Sequence, residues 1–188
     1  MNDMKTFNVR KWLFNPFIYI GGSKALLFGW IAMILASFVS YFSLTHFDGA
    51  LDIHFGFRGR YIFYVLEQLI AWISTTIPLY VLGILFSKSK IRFIDVAGNV
   101  ALARAVTLPV ALFGFFPIFP LDIESPAKLA LATVPILAFA IWMITLLFNA
   151  FVVSTNIRGN KAIVCFIVGI IVAEILSKIA IYYLFKVL

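Results

Sequence analysis

Four side chains of the types that hold divalent metals fall within nine residues: His46, Asp48, Asp52 and His54. Imidazole and carboxylate are the ligand types of zinc and manganese sites, and Gly49 between them permits a tight turn. Their spacing follows no established zinc signature. A solvated turn with a capping aspartate accounts for the same four residues.

A second set of ionisable residues is embedded in apolar sequence: Glu67, Arg104, Glu174 and Lys178. A charge at bilayer depth costs about 2.5–3.5 kcal/mol on insertion scales, so such groups turn to a bundle interior and a partner. Glu174 and Lys178 are four apart, share one helix face and can pair directly, and Tyr182 extends that face. Glu67 heads a face with Ala71, Ser74, Thr75 and Pro78. Arg104 sits near the middle of its stretch beside Ala97, Ala101 and Ala105, small residues that let helices approach closely. Two acids and two bases make a charge-balanced interior network. Such a network either pins helices together or carries ions or protons.

Nothing else in the chain points to catalysis. It has no nucleophile with an adjacent base, no glycine-rich phosphate loop and no zinc-protease pattern. Asp95 suits the first turn of a helix. Asn149 and Asn156 suit a cross-helix hydrogen bond or a helix end. The single cysteine, Cys165, has no intramolecular disulfide partner and reads as a small packing residue. The expectation is no enzyme, no cofactor and no resident metal, with the 46–54 loop as the one candidate exception.

Five apolar stretches must position these residues: Ala25–Thr45, Tyr61–Phe86, Ile94–Phe116, Leu129–Val153 and Ala162–Phe185. Each has about 20 to 26 residues, enough at about 1.5 Å per residue to cross a hydrocarbon core of about 30 Å. The runs are continuous rather than alternating, so helices are expected and barrel strands are not. Hydrophobic residues make up 63% of the chain and charged residues 12%, against about 25% charged in soluble domains. The predicted fold class is all-α, a polytopic transmembrane bundle of five spans over 25–188. An interfacial, amphipathic segment precedes it over 1–24.

That segment mixes Arg10 and Lys11 with Trp12, Phe14, Phe17 and Tyr19, a composition suited to the headgroup layer. Pro16 marks a break or the first turn of a new helix. Pro78, Pro109 and Pro135 fall inside spans, where kinks are expected. The first apolar stretch is longer than a signal-peptide core and lacks a cleavage site, so it reads as a retained anchor.

The net charge of +7 is spread over short loops and forms no basic stripe, which argues against nucleic acid. Lys5, Arg10, Lys11, Lys24, Lys88, Lys90, Arg92, Arg158 and Lys161 fall on one side of the spans. Arg58, Arg60, Lys128 and Lys186 fall on the other, with Asp48, Asp52, Asp122 and Glu124. The positive-inside rule then predicts a cytoplasmic amino terminus and an external carboxyl terminus.

Several segments, taken in order, resemble the Yip-domain family (Ypt/Rab-interacting membrane proteins) in its bacterial branch. They are Asn15-Pro16-Phe17 with Gly22-Ser23-Lys24-Ala25, then Thr45-His46-Phe47-Asp48-Gly49. Next come Ile91 through Gly98 running into Ala101-Leu102-Ala103-Arg104, then Trp142 through Ala150, and finally Gly159-Asn160-Lys161. The resemblance implies five spans with a cytoplasmic amino terminus, in a bacterial cytoplasmic membrane. The chain lacks the aspartate-leucine-tyrosine-glycine-proline motif and the long amino-terminal region of eukaryotic relatives, so no Rab-binding role is implied. The family supplies no catalytic or ligand residue to carry over.

The expected function is a non-enzymatic organiser or scaffold, with the bilayer, anionic lipids and other membrane proteins as partners. The alternative is a small transporter or channel component using Glu67, Arg104, Glu174 and Lys178 as a relay.

Overall fold

A computed structural model describes residues 8–116 and 126–187. Lys5, Asp122 and Glu124 lie outside them, as does the side chain of Lys128.

The chain opens with the short helix α1 (Val9–Phe14), capped by the Asn8 side chain on the Lys11 amide at 3.1 Å. Pro16 occupies the first position of a 3-10 turn over Pro16–Ile18, where its missing N–H costs nothing. Helix α2 (Gly22–Ser43) follows, then a two-residue antiparallel ribbon of β1 (Thr45–His46) and β2 (His54–Phe55). The remaining helices are α3 (Tyr61–Phe86), α4 (Phe93–Ala103), α5 (Thr107–Phe113), α6 (Pro126–Thr155) and α7 (Gly159–Val187).

Five segments are long and apolar enough to cross a membrane: Gly22–Ser43, Tyr61–Phe86, Phe93–Phe113, Ala130–Thr155 and Gly159–Lys186. The fold is thus the expected all-α five-span bundle, with span ends within a few residues of those read from hydropathy. Large apolar side chains such as Leu27, Leu85, Leu131, Val134 and Val164 are exposed around the bundle. In water such a surface would drive aggregation, whereas lipid tails solvate it.

The third span is the hub. Of its most apolar window 67% is buried, against 28–39% in the other four, and it packs on α2, α3 and α6. Small residues make this possible: a Cβ on Gly29 would strike the Ala101 backbone, and one on Gly98 would strike the Gly22 carbonyl. The span is also broken. Pro109 offers no N–H to the Ala105 carbonyl, and the turn before it tightens into a 3-10 segment, Arg104–Val106. The Thr107 hydroxyl donates to the Arg104 carbonyl at 2.8 Å, beside the Thr107 amide that also reaches the Arg104 and Ala105 carbonyls. The break in the third span therefore falls at Arg104–Val106, just ahead of Pro109. Pro78 and Pro135 lie within helices assigned without a break.

The amino-terminal segment docks on α6. The Trp142 indole donates to the Leu13 carbonyl and the Asn149 amide to the Phe14 carbonyl, both at 2.7 Å. Asn156 ends α6 in the left-handed region at φ 55°, so both asparagines play the cross-helix and helix-ending parts that their positions suggested.

Candidate functional site

The polar interior is organised by the chain between α2 and α3. Leu44 caps α2 in the left-handed conformation, φ 56° and ψ 36°, which costs a side-chain-bearing residue about 1–2 kcal/mol. It turns the backbone inward instead of out into solvent. Thr45, His46, Phe47, Gly49 and Ala50 are then fully buried, in a loop that sequence alone reads as solvated. Gly114 at the end of α5 has no room for a Cβ, which would strike Thr45 Oγ1, so the third span closes over the loop.

A buried loop brings backbone N–H and C=O groups into an apolar interior, and each needs a partner. The ionisable side chains of the spans supply them. Glu67 Oε2 accepts from the Phe47 amide at 3.2 Å. Glu174 Oε2 accepts from the Leu51 amide at 3.0 Å. Ser177 Oγ accepts from the Ala50 amide at 3.0 Å and donates to the Glu174 carbonyl at 2.9 Å. Arg104 donates through Nη1 to the Ala50 carbonyl at 2.9 Å and through Nη2 to Gln68 Oε1 at 3.3 Å. Lys178 Nζ, nearer the surface, bridges the carboxylates of Asp48 and Asp52.

This arrangement corrects the direct Glu174–Lys178 pair expected from their i,i+4 spacing. Glu174 points to the loop backbone and Lys178 to the loop carboxylates, because polar groups carried into the interior by the loop need partners there. None of Glu67, Arg104, Glu174 and Lys178 forms an ion pair with another among the described residues. Every one of them contacts the loop. Glu174 reaches Arg104 by charge alone, without a hydrogen bond.

The four metal-type residues divide as well. His46 stays stacked on the His54 ring at 5.3 Å but turns its nitrogens away: its ring is fully buried, also stacked at 4.3 Å on Phe57 and 4.5 Å on Tyr64, with Nδ1 2.9 Å from Glu67 Oε1. Its Nε2 lies 2.9 Å from the Phe57 carbonyl, which can only accept, so Nε2 carries a hydrogen. A single proton then lies between Nδ1 and Glu67, making the buried pair neutral overall whichever partner holds it.

Asp48, Asp52 and His54 stay together, with ligand atoms all within 4.8 Å of one another. Their donor set suits a divalent cation. The Lys178 ammonium between the two carboxylates already offsets one of their two charges, and a protonated His54 offsets the other, so the geometry does not require one. His54 Nδ1 lies 3.1 Å from Asp48 Oδ1. Partial burial alone would raise the Asp48 pKa, but His54 and the Lys178 charge outweigh it and hold the carboxyl below its ordinary 3.8. The His54 imidazole is raised above its ordinary 6.5, chiefly by its contact with Asp48 and against a desolvation cost.

Gly49 is required for space, not for a special backbone angle: a Cβ there would strike Glu174 Oε1. Sequence reasoning passed over Gln68, Ser177 and Tyr64. The first two carry a usable signal, since each is polar within an apolar span and adjoins a residue already singled out. Arg104 Nε and Gln68 Nε2 are buried donors without a hydrogen-bond partner among the described residues.

No family model, curated protein or solved structure matches this chain.

Proposed function

We propose that this chain is a non-enzymatic membrane organiser, a multi-pass scaffold of the bacterial cytoplasmic membrane with its amino terminus in the cytoplasm. One observation carries the reading: each of the four ionisable side chains within the apolar spans, two of them fully buried, is spent on holding the 44–60 loop. A relay through Glu67, Arg104, Glu174 and Lys178 needs these four within proton-transfer reach of one another, and among the described residues none of them bonds to another; each ends on the loop. A polar interior used in this way fixes a rigid frame whose apolar exterior and basic loops are left for partners. Membership of the Yip-domain family is proposed alongside, on the order and spacing of the segments that resemble it, with no Rab-binding role attached.

The second reading, a transporter or channel component, draws on Arg104 Nε and Gln68 Nε2. Buried donors without an acceptor suit a site that a passing solute or water chain would use. Proteoliposomes separate the two. The organiser predicts proton and cation flux equal to that of protein-free vesicles, and partner membrane proteins in native mass spectra of the chain ejected directly from membrane. Flux well above background that disappears in Glu174→Gln with Lys178→Met would overturn it.

A further inference from the structure

At the end of the bundle opposite the docked loop, α3 and α7 enclose a groove of about 580 Å³ lined by Leu82, Phe86, Val164, Cys165 and Val168. Its volume falls within the roughly 300–1,000 Å³ of ligand sites, and its lining is apolar. A polar cleft of about 250 Å³ adjoins it, sharing Phe86 and Lys161 and adding Lys88, Ser89, Asn156 and Arg158. The Lys161 ammonium stands 5.4 Å over the Phe86 ring, at the junction of the two.

Lys88, Arg158 and Lys161 are exposed, and among the described residues none meets a carboxylate. Arg92 on the same α3–α4 connection differs, because Asp95 already holds it at 2.8 Å. The cleft is also built in advance. Ser87 Oγ donates to the Thr155 carbonyl at 2.6 Å, the Ser89 amide to Ser87 Oγ at 3.0 Å, and the Asn156 amide to Ser89 Oγ at 3.3 Å. These bonds tie the α3–α4 connection to the α6–α7 connection, so little ordering remains to oppose binding. A convex apolar helix face meets bulk lipid without preference. A concave apolar groove ending at three cations that meet no carboxylate among the described residues is complementary to a molecule that is hydrocarbon at one end and anionic at the other.

We propose that the groove and cleft together bind one anionic phospholipid, an acyl chain lying between α3 and α7 and the phosphate among Lys88, Arg158 and Lys161. The proposal rests on the membrane-organiser reading and names one of its partners.

The test is native mass spectrometry of the full chain in detergent, titrated separately with phosphatidylglycerol, phosphatidylcholine of the same chains, and chain-free glycerophosphoglycerol. One phosphatidylglycerol should be retained at least about tenfold more tightly than phosphatidylcholine, and the chain-free headgroup should bind far more weakly than either. At about 1 kcal/mol per basic residue, the triple variant Lys88→Gln, Arg158→Gln, Lys161→Gln should lose on the order of 100-fold and with it the headgroup preference. Val164→Trp, which fills the groove without touching a charge, should weaken phosphatidylglycerol binding about tenfold. An unchanged thermal midpoint in both variants certifies that they are folded.

Equal retention of the two lipids, or wild-type retention by the triple variant, would overturn the site. Binding of glycerophosphoglycerol as tight as that of the lipid would reassign the cleft to soluble phosphates and overturn it too. A dimer mass without lipid would place a second copy of this chain in the groove, with the same consequence. The organiser reading is judged separately, by partner proteins and flux, so either can fail while the other stands.

Discussion

The two ends of the bundle handle charge in opposite ways. At the loop end, residues 44–60 fold inward and Glu67, Arg104, Glu174 and Lys178 are consumed by loop backbone and loop carboxylates. At the basic end, the connections are too short to fold inward. They bond to each other through Ser87, Ser89 and Asn156 and leave Lys88, Arg158 and Lys161 facing out. Connection length decides the difference. A long connection can carry polar groups into the interior and must then be satisfied there, while a short one can only brace its helices. Charge inside a membrane protein is therefore no sign of transport until its partner is known.

The largest effect should come from Arg104→Ala. It removes the donors of the Ala50 carbonyl and Gln68 Oε1, and each buried acceptor left unpaired costs about 1–3 kcal/mol. Thermal denaturation in detergent should show a much lower midpoint and yield. A wild-type midpoint would mean that the loop is not held by the charges at all, and would collapse the contrast between the ends.

Gly49→Ala comes next. Its new methyl group meets Glu174 Oε1, and overpacking of this kind costs about 1–3 kcal/mol. Hydrogen exchange at the Phe47, Ala50 and Leu51 amides should accelerate, while exchange in α4 changes little. Equal exchange in mutant and wild type would place Gly49 away from Glu174.

A smaller effect is pH-dependent. The raised His54 pKa contributes stability that is fully present below about 6.5 and is lost as pH rises through the folded value. The lowered Asp48 pKa contributes stability that is fully present above about 3.8 and is lost as pH falls through the folded value. Loop protection, corrected for intrinsic exchange, should therefore peak between about pH 4 and about pH 6.5. Both groups are partly exposed, so solvent screening limits the gain to less than about 1 kcal/mol. His54→Ala should flatten the alkaline side, and an unchanged profile in that variant would remove His54 from the account.

The smallest effect sharpens the comparison from the other end. Arg158→Gln with Lys161→Gln should cost no more than about 0.5 kcal/mol, read as a small shift of the thermal midpoint, as exposed substitutions away from buried features do. A large destabilisation would show that these cations hold the fold as Arg104 does.

Much of this architecture is legible in the residues. Continuous apolar runs fix five helices, Ala101 marks a close helix contact, met by Gly29, and Pro109 lies just after the break in the third span. The identity of the interior charges is equally readable, because Glu67, Arg104, Glu174 and Lys178 stand out against their surroundings. Their partners are not. The i,i+4 rule pairs Glu174 with Lys178 because it considers one helix at a time, and Glu174 instead meets Leu51 on a loop more than a hundred residues away. For the same reason sequence does not show that His46 and His54, stacked ring on ring, turn their nitrogens to different partners.

Sequence by itself determined the number, length and type of the spans, since lipid imposes a length and a backbone hydrogen-bonding rule on any chain that crosses it. Only the tertiary structure decided that the α2–α3 connection turns inward and that α3 and α7 leave a groove beside three cations. Those outcomes depend on which surfaces lie within a few ångströms once the helices have packed, and hydropathy carries no information about that.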